Sequence, residues 1–224
     1  RRQRQMCIRD RLHTMTWAVW INLCFASFAI SLSPGPGAVS SMASGLRYGF
    51  PRGYWNAVGL AIGYATQYLI SIIGVGAILA TSPIAFEIVK WVGVLYLLYL
   101  GYKQIRSPVA IIRIDDASST TEETFSTTKL IYQGMLVNLT NPKGAVFLIA
   151  ITPQFLNVNA PVIPQYIIIC ATLVIADMTI MAGYTGLAAK IMKFMHRPHH
   201  AARLNKVFGF LFIMAAIFMA LLRK

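Results

Sequence analysis

Charge is scarce in this chain, and acidic residues are scarcer still. Charged residues make up 12% of the 224 residues and hydrophobic residues 57%, whereas a soluble domain carries about 25% charged residues. Asp and Glu number 7 against 20 Lys and Arg, which gives a formal net charge of +13. This composition excludes an ordinary soluble domain. A basic excess can indicate nucleic-acid binding, but here the cations stand between apolar runs, which is typical of a membrane protein and not of a nucleic-acid partner.

The sequence also has few cysteines and none of the common catalytic motifs. The 3 cysteines, Cys7, Cys24 and Cys170, show no C-x-x-C spacing, so neither a disulfide framework nor a metal site is predicted. The sequence has no G-x-S-x-G, H-E-x-x-H, Walker or Rossmann fingerprint. We therefore expect no enzyme, no cofactor and no direct coupling to ATP.

Long apolar runs are what the sequence has instead. Six runs are long enough for a membrane crossing of about 20 residues, at roughly 17–44, 55–81, 84–105, 129–153, 162–188 and 204–222. They predict an all-α integral membrane protein with six transmembrane helices. We expect residues 15–105 and 129–224 to form two three-helix repeats, joined by a polar cytoplasmic linker at 106–128.

The distribution of Lys and Arg predicts the orientation. Basic residues follow the first, third and fifth spans and are absent from the connections near 82–84 and 154–161. The positive-inside rule then places both termini outside the cell. The tail 1–14, with its five Arg, favours the opposite orientation. Since Met15 directly precedes the first span, we expect this tail to be a non-native extension, which removes the conflict.

The first and fourth spans carry matching helix breakers. Residues 33–37, SPGPG, interrupt the first span, and Asn141-Pro142 interrupts the fourth. Gly37-Ala-Val aligns with Gly144-Ala-Val, about half the chain length away. Because each half has three spans, the second half crosses the membrane in the opposite sense. Matched breaks in inverted halves point to a transporter binding site. The alternative is a pair of kinks that only shape helix–helix contacts.

Two ionisable residues lie well inside apolar runs. Asp177 is a candidate for binding a substrate ammonium or for taking and releasing a proton; the alternative is a carboxylate held by a neighbouring hydroxyl or cation. Lys143 can meet a substrate carboxylate or pair with Asp177, unless it extends to the membrane interface. Tyr64 can line the cavity, although simple burial of its ring is the commoner role. The candidate substrate-binding residues are Ser33, Pro34, Gly35, Pro36, Gly37, Gln67, Asn138, Asn141, Pro142, Lys143 and Asp177, with Asp177 also the proton-coupling candidate.

A broken helix offers two kinds of backbone group. The N–H groups at the start of one half-helix suit a carboxylate, and the carbonyl groups at the end of the other suit an ammonium. We therefore expect the two breaks to face each other near mid-membrane and to hold the amino and carboxylate ends of one small amino acid.

These stretches resemble the LysE/RhtB superfamily of amino-acid exporters. The likeness is carried by SLSPGPGAVSSMASGLRYG at 31–49, KWVGVLYLLYLG at 90–101 and NLTNPKGAVFLIAITPQF at 138–155. IADMTIMAGYTGLA at 175–188 and LNKVFGFLFI at 204–213 are similar to the branch that exports homoserine, homoserine lactone and threonine. The resemblance implies a proton-driven efflux carrier of the bacterial inner membrane.

Several alternatives stay open at this point. The same fold can export another amino acid, such as leucine or a basic one. A membrane redox conduit would need paired cysteines near the breaks, and a structural scaffold would leave the matched breaks unexplained. The expected partners are a small amino-acid substrate and membrane lipid, with a homodimer left open.

Overall fold

The computed structural model describes residues 15–81, 83–106, 125–157, 160–195 and 198–221. Regular structure in these ranges is entirely α-helical: α1 Trp17–Leu32, α2 Pro36–Thr81, α3 Pro83–Arg106, α4 Thr127–Leu139, α5 Pro142–Phe155, α6 Val162–Gly186, α7 Ala188–Met195 and α8 Pro198–Leu221. The predicted all-α class is confirmed for this part of the chain. The tail 1–14 and residues 107–124 of the predicted linker lie outside the described residues.

Helix α2 is two helical segments joined at Gly49, whose backbone is non-helical (φ 73°, ψ 173°). Glycine adopts this positive φ without steric strain. Beyond Gly49 the chain folds back on itself, and the two segments contact each other. Ser40 Oγ donates a 3.0 Å hydrogen bond to Asn56 Oδ1. A Cβ atom at Gly53 would lie 2.6 Å from the carbonyl oxygen of Ser44. The first segment of α2 thus covers the second part of the predicted first span, and the second segment covers the predicted second span.

The first predicted break is confirmed, but it is shorter than predicted. Ser33 closes α1 by donating its N–H to the carbonyl of Ala29 at 3.2 Å, and Pro34 and Gly35 are non-helical. The assignment of Pro36 and Gly37 to the break was wrong, because both belong to the first turn of α2. Proline suits the first helical position, where its missing N–H would have no helical partner.

The second predicted break separates α4 from α5, and the chain bends by 60° between the axes of these two helices. Asn141 caps α5, its side-chain oxygen accepting a 3.1 Å hydrogen bond from the N–H of Lys143. Pro142 takes the first position of α5. The two breaks thus share one local form, a short gap followed by a helix that begins with proline.

Glycines bring α2 and α4 into backbone contact. A Cβ atom at Gly59 would collide with the carbonyl oxygen of Ile131, and one at Gly134 with the carbonyl oxygen of Asn56. Small residues allow this approach between apolar helices. This contact fixes α4, and with it the second break, relative to α2.

The outer surface carries large apolar side chains. Trp17, Ile73, Ile84 and Ile163 are each at least 70% exposed, as expected where lipid replaces water. Among the described residues, two helices are long and apolar enough to cross a membrane, or up to three if the bent α4–α5 pair is one span. The six-span inverted repeat and the division near residue 105 stay predictions.

Candidate functional site

The two helix breaks are in direct contact. Lys143 Nζ, in the first turn of α5, donates a 2.9 Å hydrogen bond to the carbonyl oxygen of Ser33, the residue that closes α1. A Cβ atom at Gly35 would lie 3.8 Å from the same Nζ. Residues separated by 110 positions in the sequence therefore form one site. The prediction that the breaks face each other is confirmed.

A cavity of about 40 Å³ lies between the breaks. Its polar lining consists of Ser31, Ser33, Tyr64, Asn138, Asn141, Lys143 and Asp177, and its remaining lining of Ile30, Gly35, Gly37, Ala38, Leu60, Gly144 and Met181. A water molecule needs about 10–15 Å³ of such space, so the cavity holds only a few waters. An amino acid would require it to widen.

Asp177 places a carboxylate against this cavity from α6. Its side chain is buried, and Oδ1 accepts a 3.2 Å hydrogen bond from Ser31 Oγ of α1. Oδ2 is buried and has no hydrogen-bond partner among the described residues. One carboxylate oxygen is thus held in place, while the other is available to a cation, a water molecule or a proton.

Two further polar atoms of the cavity lining have no partner in the described part of the chain: Ser33 Oγ and Tyr64 OH. Buried polar side chains in native proteins are nearly always hydrogen-bonded. Together with Asp177 Oδ2, these atoms mark a place where water or a ligand supplies the missing bonds.

Gln67 and Asn138 support the breaks through their amide nitrogens. Gln67 Nε2 donates to the carbonyl oxygens of Leu139 and Asn141, both at 3.2 Å. The break leaves the Leu139 carbonyl without a helical donor, and Gln67 replaces that partner. The Asn141 carbonyl also accepts a 3.3 Å hydrogen bond from the N–H of Ala145, so Gln67 is its second donor. Asn138 Nδ2 donates a 2.8 Å bond to the carbonyl oxygen of Leu60. Gln67 Oε1 is buried and has no partner among the described residues, but Gln67 does not line the cavity.

The start of α2 is an uncapped helix N-terminus at the cavity wall. Gly35 precedes Pro36 and has no side chain with which to cap, and Gly37 and Ala38 line the cavity. The first N–H groups of a helix lack partners within it and favour an anion. The equivalent end of α5 is capped by Asn141. The two breaks are therefore chemically unequal.

The structure brings together seven of the eleven predicted residues as cavity lining: Ser33, Gly35, Gly37, Asn138, Asn141, Lys143 and Asp177. Gln67 lies behind the second break, Pro34 lines a different groove, and Pro36 and Pro142 are exposed. Ser31 and Gly144 were missed. Gly144 aligns with Gly37 in the internal repeat, so that signal was present in the sequence.

Several known proteins are similar to this chain over most of its length. The chain is 36% identical over 206 residues to the homoserine/homoserine lactone efflux protein of Salmonella typhi, covering 92% of this chain and 98% of that protein. It is 36% identical over 202 residues to an uncharacterized membrane protein of Vibrio cholerae, covering 90% and 96%. It is 31% identical over 189 residues to the leucine efflux protein of Enterobacter sp. (strain 638), covering 84% and 88%.

No solved structure matches the chain significantly. Residues 28–223 match the family described as LysE type translocator, which spans both breaks, Asp177 and nearly all of the described helices. The chain is therefore a membrane transport protein and belongs to the LysE type translocator family.

Proposed function

We propose that this protein is a secondary active exporter of small neutral amino acids, with homoserine, homoserine lactone and threonine as the foremost substrates. In this proposal it spans the bacterial inner membrane six times, as two inverted three-helix repeats, and proton entry drives efflux from the cytoplasm. The observation that carries the proposal is the contact between Lys143 and Ser33, which joins the two breaks around one polar cavity.

The site has separate places for the two charges of an amino acid. The substrate carboxylate would meet the N–H groups at the start of α2 and the ammonium of Lys143. The carbonyl groups of the breaks are less available to the substrate ammonium than the sequence suggests. The carbonyl of Ser33 already accepts from Lys143, and those of Leu139 and Asn141 accept from Gln67. The substrate ammonium is therefore assigned to Asp177 Oδ2, which has no partner in the described structure.

The same carboxylate supplies a route to proton coupling. Asp177 is the one acidic side chain among the described residues that line the cavity. A carboxylate that has taken up a proton loses its charge and holds an ammonium weakly. Substrate and proton would therefore compete for Asp177, so that arrival of a proton from outside promotes release of the amino acid. If Asp177 binds either the substrate or a proton but never both, efflux of the substrate is coupled to entry of the proton.

Side-chain selection would depend on Ser33 Oγ and Tyr64 OH, which lack partners in the described structure. A site that hydrogen-bonds a substrate hydroxyl discriminates strongly against an analogue without one. This favours hydroxylated substrates over leucine. Leucine stays the second candidate, because Ile30, Leu60 and Met181 form an apolar part of the lining and the Enterobacter relative is a leucine efflux protein. The redox alternative lacks support, since Cys24 and Cys170 are free thiols away from the cavity lining.

An efflux assay tests the proposal. Cells that overproduce the protein are loaded with labelled homoserine, threonine or leucine, and the intracellular pool is followed over time. Homoserine and threonine should leave faster than from empty-vector cells, and collapse of the pH gradient should abolish the difference. Equal rates in both strains at verified expression would refute the exporter function. Efflux of leucine alone would transfer the assignment to the second candidate.

The role of Asp177 is tested with Asp177→Asn. Asparagine has nearly the same shape and can still accept from Ser31, but it carries no charge. We expect efflux to fall at least tenfold while the protein remains folded. Glu87→Gln is the matched control, because Glu87 is an exposed acid on α3, and it should export at the wild-type rate. Wild-type efflux by Asp177→Asn would remove this residue from the mechanism.

A further inference from the structure

A second cavity, of about 570 Å³, lies beside the first break. We call it the lateral groove; the end of α1, α6, α7 and the start of α8 form it, through residues that include Leu32, Ile180, Leu187, Ile191, Leu204 and Phe208. Pro34 lines the lateral groove, whereas its neighbours Ser33 and Gly35 line the site cavity. The first break is thus a thin wall between the two spaces.

The lateral groove is apolar along its length and has a cation in its wall. Lys190 of α7 is exposed and is the one charged side chain among the described residues that line it. Tyr184 also lines the groove, but its hydroxyl is engaged with the backbone, donating a 2.7 Å hydrogen bond to the carbonyl oxygen of Leu32. The occupant that fits is therefore a long apolar group attached to an anionic group.

The dimensions of the lateral groove match one lipid chain. Thr179 and Lys190 mark its extent along α6 and α7, and Leu187 continues the helical hydrogen bonding between these two helices. At 1.5 Å per residue, the distance along the helices is about 16 Å. One leaflet contributes about 15 Å to the hydrocarbon thickness of a bilayer. A chain that follows the groove would therefore start at a headgroup near Lys190 and end near mid-membrane, beside the first break.

We propose that the lateral groove binds one anionic phospholipid, with an acyl chain along α6 and its phosphate at Lys190. The volume lies within the range of about 300–1,000 Å³ that is usual for specific small-molecule sites. The lysine, without an acidic neighbour in the described lining, selects an anionic over a zwitterionic headgroup. The bound chain packs against Leu32 and Pro34, and so against the wall of the transport cavity.

Two variants separate the contributions of shape and charge. Gly183 lines the lateral groove, and a Cβ atom there would have no heavy atom within 4 Å. Gly183→Leu therefore fills the groove without disturbing the helix. Its matched control is Gly74→Leu on α2, where a Cβ atom also meets nothing within 4 Å. Lys190→Gln removes the charge, and its control is Lys103→Gln, an exposed lysine on α3 outside the groove.

The measurement is native mass spectrometry of the full chain in detergent, with phosphatidylglycerol and phosphatidylethanolamine of identical acyl chains. The wild type should retain one phosphatidylglycerol in preference to phosphatidylethanolamine. Lys190→Gln should lower that preference about fivefold, which corresponds to about 1 kcal/mol. Gly183→Leu should lose both lipids, and the two controls should behave as the wild type. Size-exclusion profiles and unfolding temperatures establish that each variant is folded.

Two results would overturn the proposal. Lipid retention by Gly183→Leu equal to that of Gly74→Leu would show that lipid binds elsewhere. A wild-type dimer that Gly183→Leu converts to a monomer, with unchanged lipid retention, would show that a second copy of the chain covers the groove.

Discussion

Gln67→Leu is the substitution for which the structure gives the clearest expectation. Leucine has a similar volume but cannot donate to the carbonyl oxygens of Leu139 and Asn141. Both carbonyls then lose their side-chain partner at the second break, inside the protein. We therefore expect Gln67→Leu to destabilise the fold by loosening the bend between α4 and α5.

The size of the effect follows from the two bonds that are lost. A neutral hydrogen bond contributes about 1 kcal/mol net, so two bonds give about 2 kcal/mol, and more if the Leu139 carbonyl stays unsatisfied. For a chain of this length, 1 kcal/mol corresponds to about 2–4 °C in unfolding temperature. The expected loss is therefore about 4–8 °C. Gln67→Glu should lose at least as much, since an ionised carboxylate cannot donate either bond and is itself unfavourable to bury.

The assay is thermal unfolding of the purified protein in detergent, followed by intrinsic tryptophan fluorescence at one fixed scan rate. Gln133→Leu is the control, because Gln133 is an exposed glutamine on α4, and it should unfold within 1–2 °C of the wild type on the scale of a surface substitution. An unfolding temperature for Gln67→Leu that matches this control would refute the reasoning. It would show that water satisfies the two carbonyls and that Gln67 does not hold the break.

Three further outcomes are expected. Gly59→Ala should destabilise the protein by about 1–3 kcal/mol in thermal unfolding, because its methyl group would meet the backbone of α4, whereas Gly74→Ala should be neutral or slightly stabilising. Gln165→Leu should lower the unfolding temperature, because the buried Gln165 side chain accepts from Asn157 N–H at 2.8 Å and donates to the carbonyl oxygens of Asn157 and Pro161 at 3.0 Å; an unchanged temperature would contradict this role. Lys143→Met should abolish efflux with little change in unfolding temperature, since the lost hydrogen bond is offset by relief from burying a charge, and retained efflux would exclude Lys143 from substrate binding.

Local sequence determined the helices and the positions of the breaks. Proline and glycine act on the backbone within one or two turns, so the interruptions near 33–37 and at 141–142 were predictable without tertiary information. The predicted spans did not include α7 or the first residues of α8, and at the first break the error concerned Pro36 and Gly37. Proline ends a helix before it but begins one as readily, and the pattern alone does not distinguish these roles.

The sequence also indicated which side chains carry charge into the apolar part of the chain. Asp177 and Lys143 stand out because ionised groups are rare at membrane depth. The internal repeat suggested that the two breaks correspond to each other. That the breaks face each other was predicted, but the hydrogen bond of Lys143 to Ser33 and the size of the cavity depend on how the helices pack.

Only the tertiary structure decided what each break does. From the sequence, the backbone carbonyls at both breaks were expected to bind a substrate ammonium. In the structure, the carbonyls of Ser33, Leu139 and Asn141 accept hydrogen bonds from the side chains of Lys143 and Gln67. Such capping depends on side chains from distant segments, which local pattern does not reveal. For the same reason, the sequence did not indicate Ser31 as a hydrogen-bond partner of Asp177, because their contact depends on how α1 packs against α6. The sequence by itself thus determined the fold class, the breaks and the charges, whereas long-range contacts decided which polar atoms remain for a substrate.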